Sequence, residues 1–159
     1  LSLEWKISEK GNSGIFYGVI ESDKYYEPYL TGAEIQVLDN DGHPDAQANP
    51  KYHQAGALYD MVQPSADVCK PAEEWNHVLL TVNHKTNTAS VQLNGTEIVR
   101  FEPHGEKWDA MVAASKFGNK EAYNYTKAPD FGKFQTGKIG LQDHDDVVSY
   151  RNIKIREIQ

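Results

Sequence analysis

The chain has 159 residues and a formal net charge of −7, with 16 Lys and Arg against 23 Asp and Glu. A domain of that length buries a hydrophobic core without metal or disulfide staples, and its negative charge, with basic residues scattered singly, argues against nucleic acid and anionic lipid as partners. Cys69 is the only cysteine, which excludes an internal disulfide and reads as structural, and no run approaches the roughly 20 apolar residues of a membrane helix.

Apolar and polar residues alternate with period two from end to end, while spacings of three and four are scarce, so the chain reads as all-β. Residues 1–7 send Leu1, Leu3, Trp5 and Ile7 to one side. The alternation is already running at Leu1, so the expectation is a domain over residues 1–159 that begins inside a strand and lacks something upstream. Gly11, Asn12, Ser13 and Gly14 supply a turn signal before the apolar run 15–20, and the two segments read as a hairpin. Residues 33–38 place Ile35 and Val37 on one face and Glu34 and Gln36 on the other, closed by the turn cluster 39–42. Strands follow at 75–82 and 88–93, and Asn94-Gly95 between Val91, Leu93, Ile98 and Val99 marks a tight hairpin turn. Residues 138–141 and 150–158 complete the set, the latter with Ile153 and Ile155 alternating against Asn152 and Lys154. Short strands between turn signals favour an antiparallel β-sandwich or barrel. The irregular segments 22–31, 42–56 and 104–137 hold much of the aromatic and histidine content, as binding loops do, with one short helical turn expected within 108–117.

Alternation aims Glu34 and Gln36 at one surface, either a site or a solvated outer face. If the strand through Ile139 and Leu141 runs on, Gly140, Gln142 and His144 share its opposite face. His144, flanked by Asp143, Asp145 and Asp146, could be a general base, a metal ligand or a turn residue. Tyr25, Tyr26 and Tyr29 precede the Glu34 strand, and tyrosine rings stack on sugars while their hydroxyls hydrogen-bond; packing of the loop itself is the other reading. His53, Tyr59 and Asp60 form a second polar-aromatic segment, and Lys116 could donate to an oxyanion or lie solvated. Phosphate loops, dinucleotide fingerprints, Cys-x-x-Cys, His-Glu-x-x-His and Gly-x-Ser-x-Gly are missing, which disfavours nucleotide chemistry and triad hydrolysis.

Taken in order, GNSGIFY from Gly11, YLTGAEIQVLDN from Tyr29, GALYD from Gly56, Trp75-Asn76, Leu93-Asn94-Gly95, Ser115-Lys116-Phe117 and the ending GLQDHDDVVSYRNIKIREI resemble the 3-keto-disaccharide hydrolase domain family across nearly the whole chain. The resemblance implies a concanavalin A-like jelly roll from exported bacterial proteins of sugar catabolism, hence a periplasmic or extracellular setting. It also implies a further N-terminal segment that this chain lacks, leaving an edge exposed. The ending departs from the family in placing Asp145, not glycine, after His144.

Retaining glycosidases set two carboxylates about 5 Å apart. Here the strand offers Glu34, then Gln36, then Asp39 at the opposite parity, which disfavours ordinary two-carboxylate hydrolysis. A 3-keto sugar permits another route, because its carbonyl acidifies the C2 proton and one base can drive expulsion of the C1 substituent, with water adding back. The resulting expectation is an enzyme on 3-keto-glycosides with Glu34 or His144 as catalytic base, and with Gln36, Gln142 and Lys116 as donors. Tyr29 and Tyr59 line the sugar platform, with Asp60 beside them as a substrate ligand. A divalent cation on Glu34, Asp143 and His144 is allowed, and no other cofactor is implied. The alternatives are a non-catalytic carbohydrate-binding module, a conventional glycosidase, and a sandwich that joins an assembly through its open edge.

Overall fold

Leu3, Trp5 and Ile7 on one strand and Ile15, Ile35 and Val37 on others all bury their side chains in a shared apolar core, which requires two sheets facing each other. The computed structural model describes residues 1–48 and 50–158. The described residues form β1 (Ser2–Ile7), β2 (Asn12–Val19), β3 (Ala33–Leu38), β4 (Asn76–Asn83), β5 (Thr88–Leu93), β6 (Thr96–Phe101), α1 (Glu106–Ala114), β7 (Lys138–Leu141) and β8 (Val148–Lys154). One sheet has five strands in the order β6-β5-β4-β1-β8, and the other has three in the order β3-β2-β7. All pairings are antiparallel, so the chain is the all-β sandwich that its alternation predicts. No described helix is long and apolar enough to cross a membrane.

The first expected hairpin does not form. β1 is hydrogen-bonded on both sides, to β4 and to β8, so it has no free edge for β2, which crosses to the other sheet and pairs with β3 and β7. The chain turns at Glu9 and Lys10, the latter at φ 57°, while Asn12, Ser13 and Gly14 already belong to β2. Gly11 is there for packing, since a Cβ would lie 2.6 Å from Ile7 Cγ1. A turn-rich tetrapeptide between two alternating runs marks a sheet crossing as readily as a hairpin.

The β5–β6 hairpin forms as predicted, with Asn94 at φ 50° and Gly95 at φ 85°. Asn94 also ties the turn down: its Oδ1 accepts from His77 N at 2.9 Å, and its Nδ2 donates to Val68 O at 2.8 Å and Asn76 Oδ1 at 2.7 Å. β8 starts and ends earlier than its apolar pattern suggests, and Asn152 at φ 53° interrupts the alternation that would have buried Ile153 and Ile155, which are 50% and 70% exposed. β7 and β8 each lie at one edge of their sheet, and Ile139 and Leu141 on β7 are exposed as well.

The helical turn expected near Trp108 is a nine-residue helix beginning at Glu106. Trp108 is buried from it and stacks on Phe131 at 6.0 Å, while Phe131 stacks on Phe117 at 3.9 Å. These rings anchor the long segment between β6 and β7 to the core, and Lys116 rides on it beside Phe117.

No atom lies within 4 Å of the position a Cβ would take on Gly95, so substitution there strains the backbone alone. Gly95→Ala is expected to lower the free energy of unfolding by about 1 kcal/mol in urea titrations with an unchanged slope.

Candidate functional site

Pairing in an antiparallel sheet puts opposed residues on one face, and the register of the three-stranded sheet lays out two rows on the side away from the core. Glu34 opposes Phe16, which opposes Gly140; Gln36 opposes Gly14. Gln142 extends the second row, its N–H donating to Gly14 O at 2.9 Å just beyond β7. Beyond β3, residues 56–59 run as an added irregular edge. Ile35 bridges to Leu58, Gln36 N donates to Ala57 O at 3.1 Å, and Tyr59 N donates to Glu34 O at 3.0 Å. Tyr59 and Glu34 are thereby neighbours on the same face.

This face is not solvated. Glu34 is 8% exposed and Gln36 1%. The Glu34 side chain lies back over Gly14, where an added Cβ would overlap Oε1 and sit 2.8 Å from Cδ. With its amide nitrogen turned to the two acceptors, Gln36 donates to Glu34 Oε1 at 3.1 Å and to Ser13 O at 3.0 Å. No ion pair reaches Glu34 among the described residues. Burial therefore pushes its carboxyl up to about 8, opposed by the positive charge of Lys116 nearby. Lys116 is itself held below the usual lysine range by burial, with Glu34, Asp60 and Asp45 acting against the shift.

Lys116 sits in a tight frame. Its Nζ donates to Tyr59 Oη at 3.3 Å and lies 4.4 Å from the centre of that ring. Its backbone N–H donates to Asp60 Oδ2 at 2.6 Å, and Asp60 Oδ1 meets His53 Nε2 at 3.1 Å. The His53 ring stacks on Tyr59 at 4.4 Å. For Asp60, burial works upward, but the bonds from His53 and Lys116 and their charges prevail and hold the carboxylate below its usual range. Burial, then the charges of Glu34 and Asp60, raise the Tyr59 hydroxyl well above the ordinary phenol. On the core side, Ser13 Oγ donates to Gln142 O at 2.7 Å and bonds Tyr150 Oη at 2.8 Å, tying β2 to β8 across the sandwich.

Of the residues singled out in the sequence, the structure brings Glu34, Gln36, Tyr59, Asp60 and Lys116 together and sets Gln142 in the adjoining row. Tyr29 lies half-buried in the 3-10 turn Pro28–Leu30, packed on the core, with no hydrogen bond to this group among the described residues. His144 lies beyond the end of β7. β7 ends at Leu141, the chain leaves the sheet, and Asp146 Oδ2 takes the Asn12 N–H at 3.0 Å that a longer strand would have approached. His144 and Asp143 are exposed in that loop. Among the described residues no three His, Cys, Asp or Glu side chains stand together as ligands, so Glu34, Asp143 and His144 do not form the cation site allowed above. Sequence reasoning missed Gly14, Ser13 and Tyr150; the first two were hidden inside what read as a turn.

Grooves of about 690 Å³ along α1 and about 510 Å³ between the open ends of the sheets lie elsewhere, and neither is lined by Glu34.

Two outcomes follow from this geometry. Gly14→Ala, which must drive the Glu34 carboxyl out of its bed, is expected to destabilise by about 1–3 kcal/mol. Gly140→Ala, whose Cβ would first meet Phe16 Cβ at an ordinary 3.5 Å, should stay within about 0.5 kcal/mol of wild type by denaturant titration. Because the Glu34 pKa is raised from 4.5 to about 8 on folding, the folded chain holds a proton across that window that the unfolded chain has released. The stabilisation is complete below pH 4.5, falls as pH rises, and is lost above about 8. Glu34→Gln lacks the dependence, so its Tm relative to wild type should climb from pH 5 to about 8 and level off above that.

The model of the 3-keto-alpha-glucoside-1,2-lyase-like domain matches residues 1–156. A protein named 3-keto-disaccharide hydrolase from Bacteroides thetaiotaomicron is 36% identical over 168 aligned residues, covering 98% of this chain. This chain spans only 57% of that protein's length. A glycosyl hydrolase-like protein from Parabacteroides distasonis ATCC 8503 superposes with a TM-score of 0.79 at 30% identity, over 95% of this chain and 67% of that one. A second from the same organism, at 21% identity and a TM-score of 0.68 over 99% and 76% of the two chains, shares the fold. With the family model matched from the first strand to beyond the last, this chain belongs to the 3-keto-alpha-glucoside-1,2-lyase-like domain family.

Proposed function

We propose that the chain carries the catalytic face of an enzyme that cleaves 3-keto-glycosides by base-assisted elimination followed by hydration, with Glu34 as the base. The observation that carries this reading is one buried carboxyl, raised to about 8 by its burial, beside one ammonium; among the described residues no second carboxylate is bonded to it. Two-carboxylate hydrolysis needs an acid and a nucleophile facing each other, whereas removal of a proton next to a carbonyl needs a single base close to neutrality and a cation for the charge that develops.

The Glu34 carboxylate takes the C2 proton of the 3-keto sugar, and the electron pair passes to the carbonyl oxygen as an enediolate. Lys116 stabilises that oxygen. Return of the pair expels the C1 oxygen of the leaving alcohol. Tyr59 Oη accepts from Lys116 Nζ, which leaves its own proton free to be donated to that oxygen. Water then gives one proton to the Tyr59 phenolate as its oxygen adds at C1, and the proton held by Glu34 returns to C2, which restores the phenol, the carboxylate and the starting state. Gln36 steadies the carboxylate without neutralising it. His144, exposed beyond β7, has no part in this scheme, and the names of the relatives support the substrate class.

The test is turnover of a 3-keto-glucoside and of its unoxidised counterpart by a protein that includes the segments flanking this chain in its relatives. The keto form should be cleaved and the unoxidised form should not. Glu34→Gln should lose at least about 10³-fold in kcat. For the wild type, kcat/KM should rise with pH through about 8, since only the ionised carboxyl is a base, and fall again as Lys116 loses its proton. Binding of the keto sugar without turnover, unchanged in Glu34→Gln, would instead indicate a carbohydrate-binding module.

A further inference from the structure

Asp60 is half-buried beside the sugar-facing group and would pass for a substrate ligand, yet neither of its carboxylate oxygens is free. Oδ2 receives the Lys116 backbone N–H at 2.6 Å, and Oδ1 meets His53 Nε2 at 3.1 Å. Its own N–H donates to Tyr52 O at 3.1 Å, and its backbone is held at φ 61°, a left-handed conformation that a residue other than glycine adopts at a cost of about 1 kcal/mol or more. The left-handed turn is what swings the carboxylate away from β3 and onto residue 116, a separation of 56 positions along the chain. Lys116 stands between two buried neighbours, Ser115 and Phe117, so its backbone is fixed by this bond and by the aromatic stack, and its side chain must then run towards Tyr59 and Glu34.

We propose that Asp60 is a positioning residue rather than a sugar ligand: by hydrogen-bonding the Lys116 N–H and the His53 ring together, it sets the ammonium over Tyr59 and beside Glu34. His53 completes the bracket by stacking on Tyr59, so one carboxylate fixes both groups that lie over that ring. The groups that act on Lys116 by charge are Glu34, Asp60 and Asp45, and those coupled to Glu34 are Lys116, Tyr59 and Tyr150. The kinetic consequence rests on the reading of Glu34 and Lys116 as base and stabiliser; the positional one does not.

Two substitutions separate a bond from a charge. Asp60→Gly keeps the left-handed backbone and removes both bonds. Asp60→Asn, also at ease in that conformation, can still accept from Lys116 N–H and donate to a neutral His53 ring, but has no charge. The substrate-free measurement is the titration of Lys116 by ¹³C NMR at Cε. Wild type should titrate below the usual value of about 10.4, because the ammonium is partly buried. In Asp60→Gly the released side chain should regain water and titrate at the usual value, while Asp60→Asn should stay low. Were Asp60 only a nearby charge, its removal would lower Lys116 further in both variants, and that result would overturn the proposal. An unchanged titration in Asp60→Gly would do the same.

On a 3-keto-glucoside, Asp60→Gly should lose kcat about as much as Lys116→Met, about a hundredfold, with KM within about threefold. The double variant should be no worse than Lys116→Met alone, as expected of residues acting through one group, and Asp60→Asn should remain within about tenfold of wild type. A raised KM with kcat intact in Asp60→Gly would make Asp60 a sugar ligand and sink the idea. Should no variant or wild type turn over the keto sugar, the reading of the reaction fails while the titration still decides the role of Asp60.

Discussion

A carboxyl group withheld from water and given no cation to bond with is the constraint around which the rest of this molecule is arranged. Ionising Glu34 in its place is unfavourable, and the protein holds the group there nonetheless, in a bed made by the missing side chain of Gly14 and the amide of Gln36. A solvated glutamate would fold the strand equally well. In the proposed chemistry that burial has a use, since it raises the acid to about 8, where its ionised form is a stronger base than an ordinary carboxylate.

The fold keeps that arrangement rigid by dividing the work between its layers. Inward residues of β1, β3, β4 and β5 make the core, and the Ser13–Tyr150 bond pins β2 against the opposite sheet. The other side of the three-stranded sheet is then free to carry polar groups, with residues 56–59 extending its edge and Lys116 reaching in beside Tyr59 from the long segment after α1. That segment would be mobile without its Trp108, Phe131 and Phe117 stack. Core packing on one side of the molecule thus determines where an ammonium stands on the other.

Much of this was legible in the residues. Period-two alternation gives the all-β class, Asn94-Gly95 gives its hairpin, and the parity of Glu34 and Gln36 against Ile35 and Val37 puts both on the face away from the core. What alternation cannot tell is whether that face meets water, because its polar neighbours come from residues 25 and 82 positions further along the chain than Glu34, at Tyr59 and Lys116. The misread places share a physical cause. Gly11 to Gly14 looked like a turn because glycine serves both turns and close packing, and only the saturation of β1 by β4 and β8 decides between them. His144 looked like part of a strand because a strand's last residue leaves no mark in a run of polar groups, and β7 stops three positions short of it. With that, the imidazole and the adjoining Asp143 leave the set, and the site reduces to one acid, one ammonium, one phenol and the groups that hold them.

Membership of a family whose relatives include a protein named 3-keto-disaccharide hydrolase, of which this chain spans 57%, is the setting in which the proposed chemistry is read. The account stands on the state of one carboxyl. Titration of the Glu34 side-chain carboxyl by ¹³C NMR, assigned by its disappearance in Glu34→Gln, measures that state directly. A midpoint near 8 is the result predicted, and a midpoint near 4.3, that of a glutamate in water, would contradict the burial-tuned base on which the proposed chemistry depends.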